Sequence, residues 1–390
     1  LVVNEITRSR LKLLVILVVA VVLVHIAVIR FLFFGGNSTP VPPKAKFPEP
    51  ELLIPEGGFA AQPQKKASKP QKKTEVARSE KAPKMPETKP ADLPKAPEVL
   101  PPPAPEPPNP VASTPIEKHP SPKIRSLNYT GCVKGDIKGL PEPEKIPCGI
   151  LVDLNTRKVL WAKNPHKSVP IASMTKMMTI LLAFEAMERG ELSLDTPVKV
   201  SREATKLREG VIYVDVRETF PLRDLLMAAT IKSANDAAYL IAETVSGGNV
   251  PKFVERMNQR AFELGMRGTK FTNPHGLPNK ENGDSVSTPE AMVLLGEAIM
   301  QYPQIMQWTS TKQTFIRDGK TELTSTNKLI VPHYPGVDGL KTGYTKHAGS
   351  CLTFSCLRNG RRLVGMVAGV RGSQVRDRFC RKLLDWGYQH

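Results

Sequence analysis

Gly149-Ile-Leu-Val-Asp153 and Val159-Leu-Trp-Ala162 are two short apolar runs separated by Leu154-Asn-Thr-Arg-Lys158. Runs of this length, rich in Val, Ile, Leu and Trp and split by a polar cluster, read as a β-hairpin. The period then changes. From Ser173 onward Met177, Met178, Leu181, Leu182 and Phe184 supply the apolar face of a helix, and Gly190 ends it. Further helices are expected at 222–231, 237–245, 252–264 and 289–300. Strands return at the end of the chain: 349–357 and 363–370 flank the turn Arg358-Asn-Gly-Arg361, and 374–386 reads as a closing helix. Strands at both ends with helices between them predict an α+β fold, one antiparallel β-sheet covered by helices with a helical subregion.

Toward the N-terminus the composition shifts. The chain has 390 residues and 37 prolines, of which 23 fall between Pro40 and Pro122. That stretch has too few large apolar residues to bury a core. Residues 37–125 are therefore expected to be a disordered, Pro/Lys-rich spacer, about 280 Å long if extended as polyproline II and about 50 Å as a flexible coil. A tether is the plain role; PxxP steps as docking sites are the sharper one. Before it, residues 13–29 are apolar apart from His25, and 11–34 as a helix would measure about 36 Å, enough to cross a bilayer. A lone neutral His near one end of such a span is tolerable, with a proton relay as the alternative. Arg8, Arg10 and Lys12 precede the run, which holds the N-terminus in the cytoplasm and exports the rest. The expected division is 1–36 cytoplasmic N-terminus and transmembrane anchor, 37–125 spacer and 126–390 one folded domain. The alternative for the first segment is a cleaved signal peptide, whose best small-x-small site, Gly36-Asn-Ser38, is a poor one.

The formal charge of +18 is spread as an excess of 3 in residues 1–36, 5 in 37–125 and 10 in 126–390. No segment is basic enough to announce nucleic acid, and there is no GxxxxGK[ST] phosphate loop, zinc-ligand cluster or aromatic-rich RNA signature. Anionic lipid head groups or cell-wall carboxylates are the expected partners of the positive charge. The seven histidines are scattered without HExxH or comparable spacing, so no metal is expected. All five cysteines lie beyond the spacer. Export permits disulfides, and Cys132 and Cys148 are either a pair or two free thiols. Cys351 and Cys356, five apart on an expected strand, face opposite ways and cannot pair with each other.

Three short motifs carry the chemistry. In Ser173-Met-Thr-Lys176 a spacing of three places a hydroxyl and an amine on one helix face. Serine needs a base, and a lysine can serve if burial and a second cation pull its pKa down. The same spelling occurs at Ser9 to Lys12 and Ser325 to Lys328. Ser233-Ala-Asn235 sits between two expected helices, where a turn could present a hydroxyl and an amide; Ser126 to Asn128 and Ser325 to Asn327 repeat that pattern too. Lys341-Thr342-Gly343 occurs once, after the turn-forming Pro335-Gly-Val-Asp-Gly339. Its Gly343 is expected to let a substrate approach the strand backbone.

The order is SxxK at a helix start, SxN 60 residues on and KTG another 108 later. This arrangement resembles the penicillin-binding serine D-alanyl-D-alanine carboxypeptidases of low molecular mass. The likeness spans 149–388 and includes Val152-Asp-Leu-Asn155, Lys158-Val-Leu-Trp161, Asn273-Pro-His-Gly-Leu277, Val337-Asp-Gly-Leu-Lys-Thr-Gly343 and Lys382-Leu-Leu-Asp-Trp-Gly387. The resemblance implies a penicillin-binding/β-lactamase-like transpeptidase fold, no cofactor, peptidoglycan stem peptides as substrate and β-lactams as inhibitors. It implies that Ser173 attacks the peptide carbonyl between two D-alanines, Lys176 takes its proton and Ser233 relays a proton to the leaving D-alanine. Asn235 would hold the substrate amide, and Lys341 would keep Lys176 neutral. Thr342 and Arg376 would bind the terminal carboxylate, and the N–H groups of Ser173 and Tyr344 would form the oxyanion hole. His275 lies in a turn-rich phrase that the family carries outside its catalytic residues. The implied location is the outer side of a bacterial cytoplasmic membrane, with 126–390 as the catalytic domain.

Departures and rivals bound this expectation. Asp215-Val-Arg-Glu218 stands where the family often has a Gly-containing turn, which bears on the shape of the cleft. The sequence stops at His390, so the C-terminal β-domain and anchor of many relatives are not expected, and the N-terminal span would take the anchor's place. A class A β-lactamase would add a deacylating Glu in an ExxxN phrase, and none occurs between Asn235 and Lys341. An energy-coupling scaffold of the TonB sort resembles residues 1–125 and nothing after them. A D,D-endopeptidase acting on crosslinks would use the same residues as a carboxypeptidase.

Overall fold

A computed structural model describes residues 126–279 and 281–390. The expected anchor at 11–34 with its His25, and the expected spacer at 37–125, lie outside the described residues. Among the described residues no helix is long and apolar enough to cross a membrane.

Six strands build the central sheet: β1 Val133–Lys134, β2 Cys148–Asp153, β3 Lys158–Lys163, β4 Val337–Thr345, β5 Gly349–Arg358 and β6 Arg361–Val370. Their order is β1-β3-β2-β6-β5-β4, so β2, from the opening hairpin, and β6, the last strand, meet at its centre. There Ile150 lies opposite Met366 and Val152 opposite Val364. The expected opening and closing hairpins are both present. The expectation of a wholly antiparallel sheet needs one correction, because β1 runs parallel to β3. The 135–147 loop carries the chain past β3 to β2, so β1 lies on the far side of β3, running opposite to β2 and therefore parallel to β3.

The sheet is covered on both faces because its strands alternate. Helix Ser373–Gln389, the last in the chain, packs Phe379, Leu383 and Leu384 against Leu151, Leu352, Phe354 and Val367. On the other face Ile150, Val152, Val364 and Met366 join the larger core. That core contains α1 Lys176–Glu188, α2 Leu222–Met227, α3 Asn235–Val245, α4 Val250–Glu263, α5 Pro289–Ile299 and α6 Pro303–Ser310; the closing helix is α7. Each fully buried Leu, Ile or Phe contributes about 1.5–3 kcal/mol. Cys351 and Cys356 fall into different cores, as their spacing requires. Cys132 and Cys148 are both free thiols, so that pairing does not form.

Two expected helices are modified where the site lies. The helix expected from Ser173 opens with a 3-10 turn, Ala172–Thr175, and becomes α-helical at Lys176. The helix expected over 222–231 loosens after α2 into a π-turn, Ala228–Lys232. The elements that escaped the sequence reading include α6 and the hairpin of Gln313–Ile316 with Thr321–Thr324. Both are short, and the hairpin is exposed along much of its length, so neither shows a clear apolar period.

α1 is buried on nearly every side between the sheet and the other helices. Its Glu185 can be there only because Arg260 of α4 donates to it at 2.7 Å, with both residues almost wholly buried. Arg260→Leu leaves a carboxylate stranded in the core, a loss of about 3 kcal/mol or about 10 °C in Tm for a domain of this size. Thermal unfolding should show that loss, and the double variant Glu185→Leu/Arg260→Leu should recover most of it. A single variant as stable as the parent would mean that the pair is not held as described.

Candidate active site

Side chains three apart eclipse one another in a 3-10 turn, and the turn at Ala172–Thr175 uses this to bring the Lys176 Nζ within 3.0 Å of the Ser173 Oγ. Lys176 is fully buried. Its Nζ also lies 2.5 Å from Asn235 Oδ1 and 2.7 Å from the backbone oxygen of His275. An ammonium has three donors and no acceptor. A neutral amine has two N–H groups and one lone pair, so it can donate to Asn235 and His275 and turn its lone pair to the Ser173 hydroxyl. The surroundings favour the neutral form. Burial holds the Lys176 pKa well below the usual lysine value, the Lys341 charge lowers it further, and Asp236 acts in the opposite sense.

Asn235 is the first residue of α3 and fastens a second wall of the cleft. Its N–H donates to the Gly210 oxygen at 2.6 Å, and its side-chain Nδ2 donates to the Glu209 oxygen at 2.5 Å. Asp236, buried beside it, accepts from the N–H groups of Ile212 and Val214 at 3.0 and 3.3 Å. Ser233 ends the π-turn with φ 67°, a left-handed conformation uncommon for serine. The described contacts give its hydroxyl no hydrogen-bond partner, so the structure brings Ser233 into the same turn as Asn235 without joining it to Lys176.

The third wall is β4. Lys341 is buried, donates to the Thr342 oxygen at 3.1 Å, and has its pKa pushed down to about 7 by burial and by the charge of Arg376. Gly343 has a different purpose from the one expected. A Cβ there would sit 2.6 Å from the Ile171 oxygen and 3.3 Å from the Ala172 Cβ. Its absence lets the strand lie against the turn that carries Ser173, rather than making room for a substrate. Tyr344, the next residue, is 69% exposed. Arg376 of α7 is buried, with bonds to Asp377 and to the Cys351 oxygen at 3.0 Å.

Two contributors were not legible as such. The Asn273-Pro-His-Gly276 phrase delivers a backbone carbonyl to Lys176, while the His275 ring accepts from the Leu277 N–H and is pushed down to about 3 by burial and by Lys176. Gly276 makes this approach possible, since a Cβ would come within 1.9 Å of the Ala172 oxygen. Thr326 belongs to the repeated SxN spelling at Ser325 to Asn327, yet its hydroxyl lies 2.6 Å from that of Thr342 and its N–H donates to the Ile231 oxygen at 3.3 Å. That residue ties the KTG strand to the helix leading into Ser233. Among the described residues no group of three or more His, Cys, Asp or Glu could hold a metal ion.

This arrangement is a serine whose hydroxyl touches a buried amine, with a second buried cation behind it. Residues 145–372 match the family described as D-alanyl-D-alanine carboxypeptidase. The D-alanyl-D-alanine carboxypeptidase DacF of Bacillus subtilis is 35% identical over 242 residues, 61% of this chain and 61% of that protein. A D-alanyl-D-alanine endopeptidase of Pseudomonas aeruginosa is 34% identical, over 64% of this chain and 79% of that one. The match thus spans about three-fifths of the Bacillus relative's length. Among solved structures, penicillin-binding protein D2 of Listeria monocytogenes in its ampicillin-bound form aligns with a TM-score of 0.57 and 31% identity, over 63% of this chain and 98% of that one. The penicillin-binding fold expected from the sequence is therefore present, and the chain belongs to the D-alanyl-D-alanine carboxypeptidase family.

Proposed function

We propose that this protein removes the terminal D-alanine from peptidoglycan stem peptides through an acyl-enzyme on Ser173. The observation that carries the reading is the 3.0 Å contact between the Ser173 hydroxyl and a lysine amine whose pKa burial holds well below the usual lysine value. In this reading the Ser173 Oγ attacks the carbonyl between the two D-alanines and gives its proton to Lys176. The N–H groups of Ser173 and Tyr344 receive the oxyanion. The C–N bond then breaks, and the leaving amine takes a proton by way of Ser233. Water cleaves the ester, releases the shortened peptide and restores the Ser173 hydroxyl. Asn235 orients the peptide amide, Lys341 supplies positive potential, and Thr342 and Arg376 supply a hydroxyl and a charge for the terminal carboxylate. The Listeria relative's ampicillin-bound form supports β-lactams as acylating inhibitors here. The Pseudomonas relative's name supports a second activity of the same residues, D,D-endopeptidase cleavage of crosslinks.

A labelled penicillin should acylate Ser173, as read by peptide mapping, and Lys176→Ala should abolish labelling at neutral pH because the proton acceptor is gone. Digested muropeptides should lose one D-alanine. Label on Ser325 or Ser233 would falsify the nucleophile, and loss of crosslinks in place of D-alanine would transfer the protein to the endopeptidases.

We further propose that residues 11–34 hold the chain in the cytoplasmic membrane, with the catalytic domain outside it, where stem peptides lie. The charge step at Arg8, Arg10 and Lys12 and the length of the apolar run support this reading. Protease added to spheroplasts should cut within 37–125 and release a penicillin-binding fragment of about 29 kDa. A mature N-terminus near Thr39, on protein that salt washes from membranes, would make the segment a signal peptide.

A further inference from the structure

Tyr213 has φ 55°, a left-handed conformation that a bulky aromatic residue rarely adopts, and its side chain is 79% exposed. Such a conformation persists only where the surroundings over-determine it, and it gathers at ligand clamps and active sites. Here the surroundings do over-determine it. The N–H groups on both sides of Tyr213, those of Ile212 and Val214, are held by the buried Asp236 carboxylate. The Ile212 and Tyr213 oxygens accept from Arg317 at 2.9 and 3.2 Å. Arg317 is itself fixed to Glu218 by bonds of 2.8 and 2.9 Å. Ile212 and Val214 are thereby turned into the core, and the phenol ring is driven out of it.

The place matters as much as the strain. Asp236 follows Asn235 directly, and Asn235 binds the Glu209 and Gly210 oxygens of this same segment. Tyr213 therefore stands on the wall that Asn235 fastens. Beside the ring is a depression of about 300 Å³ whose lining includes Leu207, Arg208, Asp215 and Val216. Nothing in the described chain covers the ring, so its apolar area is available to a ligand. In the peptidase reading Asn235 holds the substrate amide, and Tyr213, three residues beyond the Gly210 that Asn235 binds, is then on the wall nearest the residue that precedes the two D-alanines. We propose that Tyr213 is a specificity-determining residue, a rigid platform on which the aliphatic side chain of that preceding residue packs. This role rests on the peptidase reading above.

The test compares D-alanine release by the full-length protein from two peptides, diacetyl-L-Lys-D-Ala-D-Ala, which has a long acylated side chain, and acetyl-Gly-D-Ala-D-Ala, which has none. Tyr213→Gly should lower the ratio of kcat/KM for the long-chain over the glycyl peptide about tenfold, chiefly through KM, as expected for one lost aromatic–alkyl contact. Tyr213→Phe, which keeps the ring, should hold the ratio within about twofold of the parent. Tyr213→Gly should also unfold at the same temperature or higher, because glycine is relaxed at positive φ, so the loss cannot be one of folding. An unchanged ratio, or an equal loss on both peptides, overturns the role of Tyr213 while leaving the peptidase reading intact. A parent protein that is acylated by penicillin but releases D-alanine from neither peptide overturns that reading, and the Tyr213 role falls with it.

Discussion

The constraint on which the site depends is the complete burial of the Lys176 amine among one hydroxyl and two carbonyl oxygens. A charged group in that position would be costly, and a neutral one is paid back by two hydrogen bonds and a lone pair aimed at Ser173. Each of the three oxygens comes from a different part of the fold. Ser173 lies in the turn before α1, Asn235 at the start of α3, and the His275 oxygen in a loop between α4 and α5. The two glycines that allow these parts to close, Gly276 and Gly343, both meet the 171–172 backbone. A side chain at either would push the nucleophile's turn away from its base.

Backbone strain and buried charge both occur at the cleft. Ala172, Ser233 and Tyr213 all have positive φ, and all lie in segments that form the cleft. Lys176, Lys341 and Arg376 form a series of buried basic groups, in which Lys341 lowers the pKa of Lys176 and Arg376 that of Lys341. Neither feature favours folding, and both are sustained by the two apolar cores on either side of the sheet. Asp236 and Arg317 show how the strain is held. Asp236 binds N–H groups and Arg317 binds carbonyl oxygens of the 212–214 segment, so the wall bearing Tyr213 is set by a buried carboxylate and a half-buried guanidinium and not by its own propensity.

Much of this was legible in the sequence, for physical reasons. The hairpin at 149–162 and the closing β5–β6 hairpin alternate clearly enough to be read, and Ser173, Lys176, Asn235 and Lys341 could be singled out by spacing. Lys176 and Asn235 do meet, and Lys341 acts on Lys176 through its charge. What stayed hidden acts through the backbone or across long separations. The His275 contribution is a carbonyl, which every residue has, so no residue type signals it. Thr326 looked like a chance repeat because its partner, Thr342, is reached only when the strand folds back. Gly343 was read toward a substrate, whereas its neighbour is the chain's own Ile171 oxygen. The parallel β1 strand and α6 were too short to show a period.

The most direct measurement of the central claim is the pH dependence of penicillin acylation for the parent protein and for Lys341→Met. Lys176 is a base only when neutral, so acylation should fall as pH drops through its lowered pKa and should be fully developed well below the usual lysine value. Lys341 carries its charge below about 7, and that charge lowers the Lys176 pKa. Removing it should raise the Lys176 pKa and move the acid limb to higher pH. A parent whose acylation rises only toward pH ~10.4, the ordinary lysine range, or an acid limb unmoved by Lys341→Met, would contradict the claim that burial and a neighbouring cation make Lys176 the base.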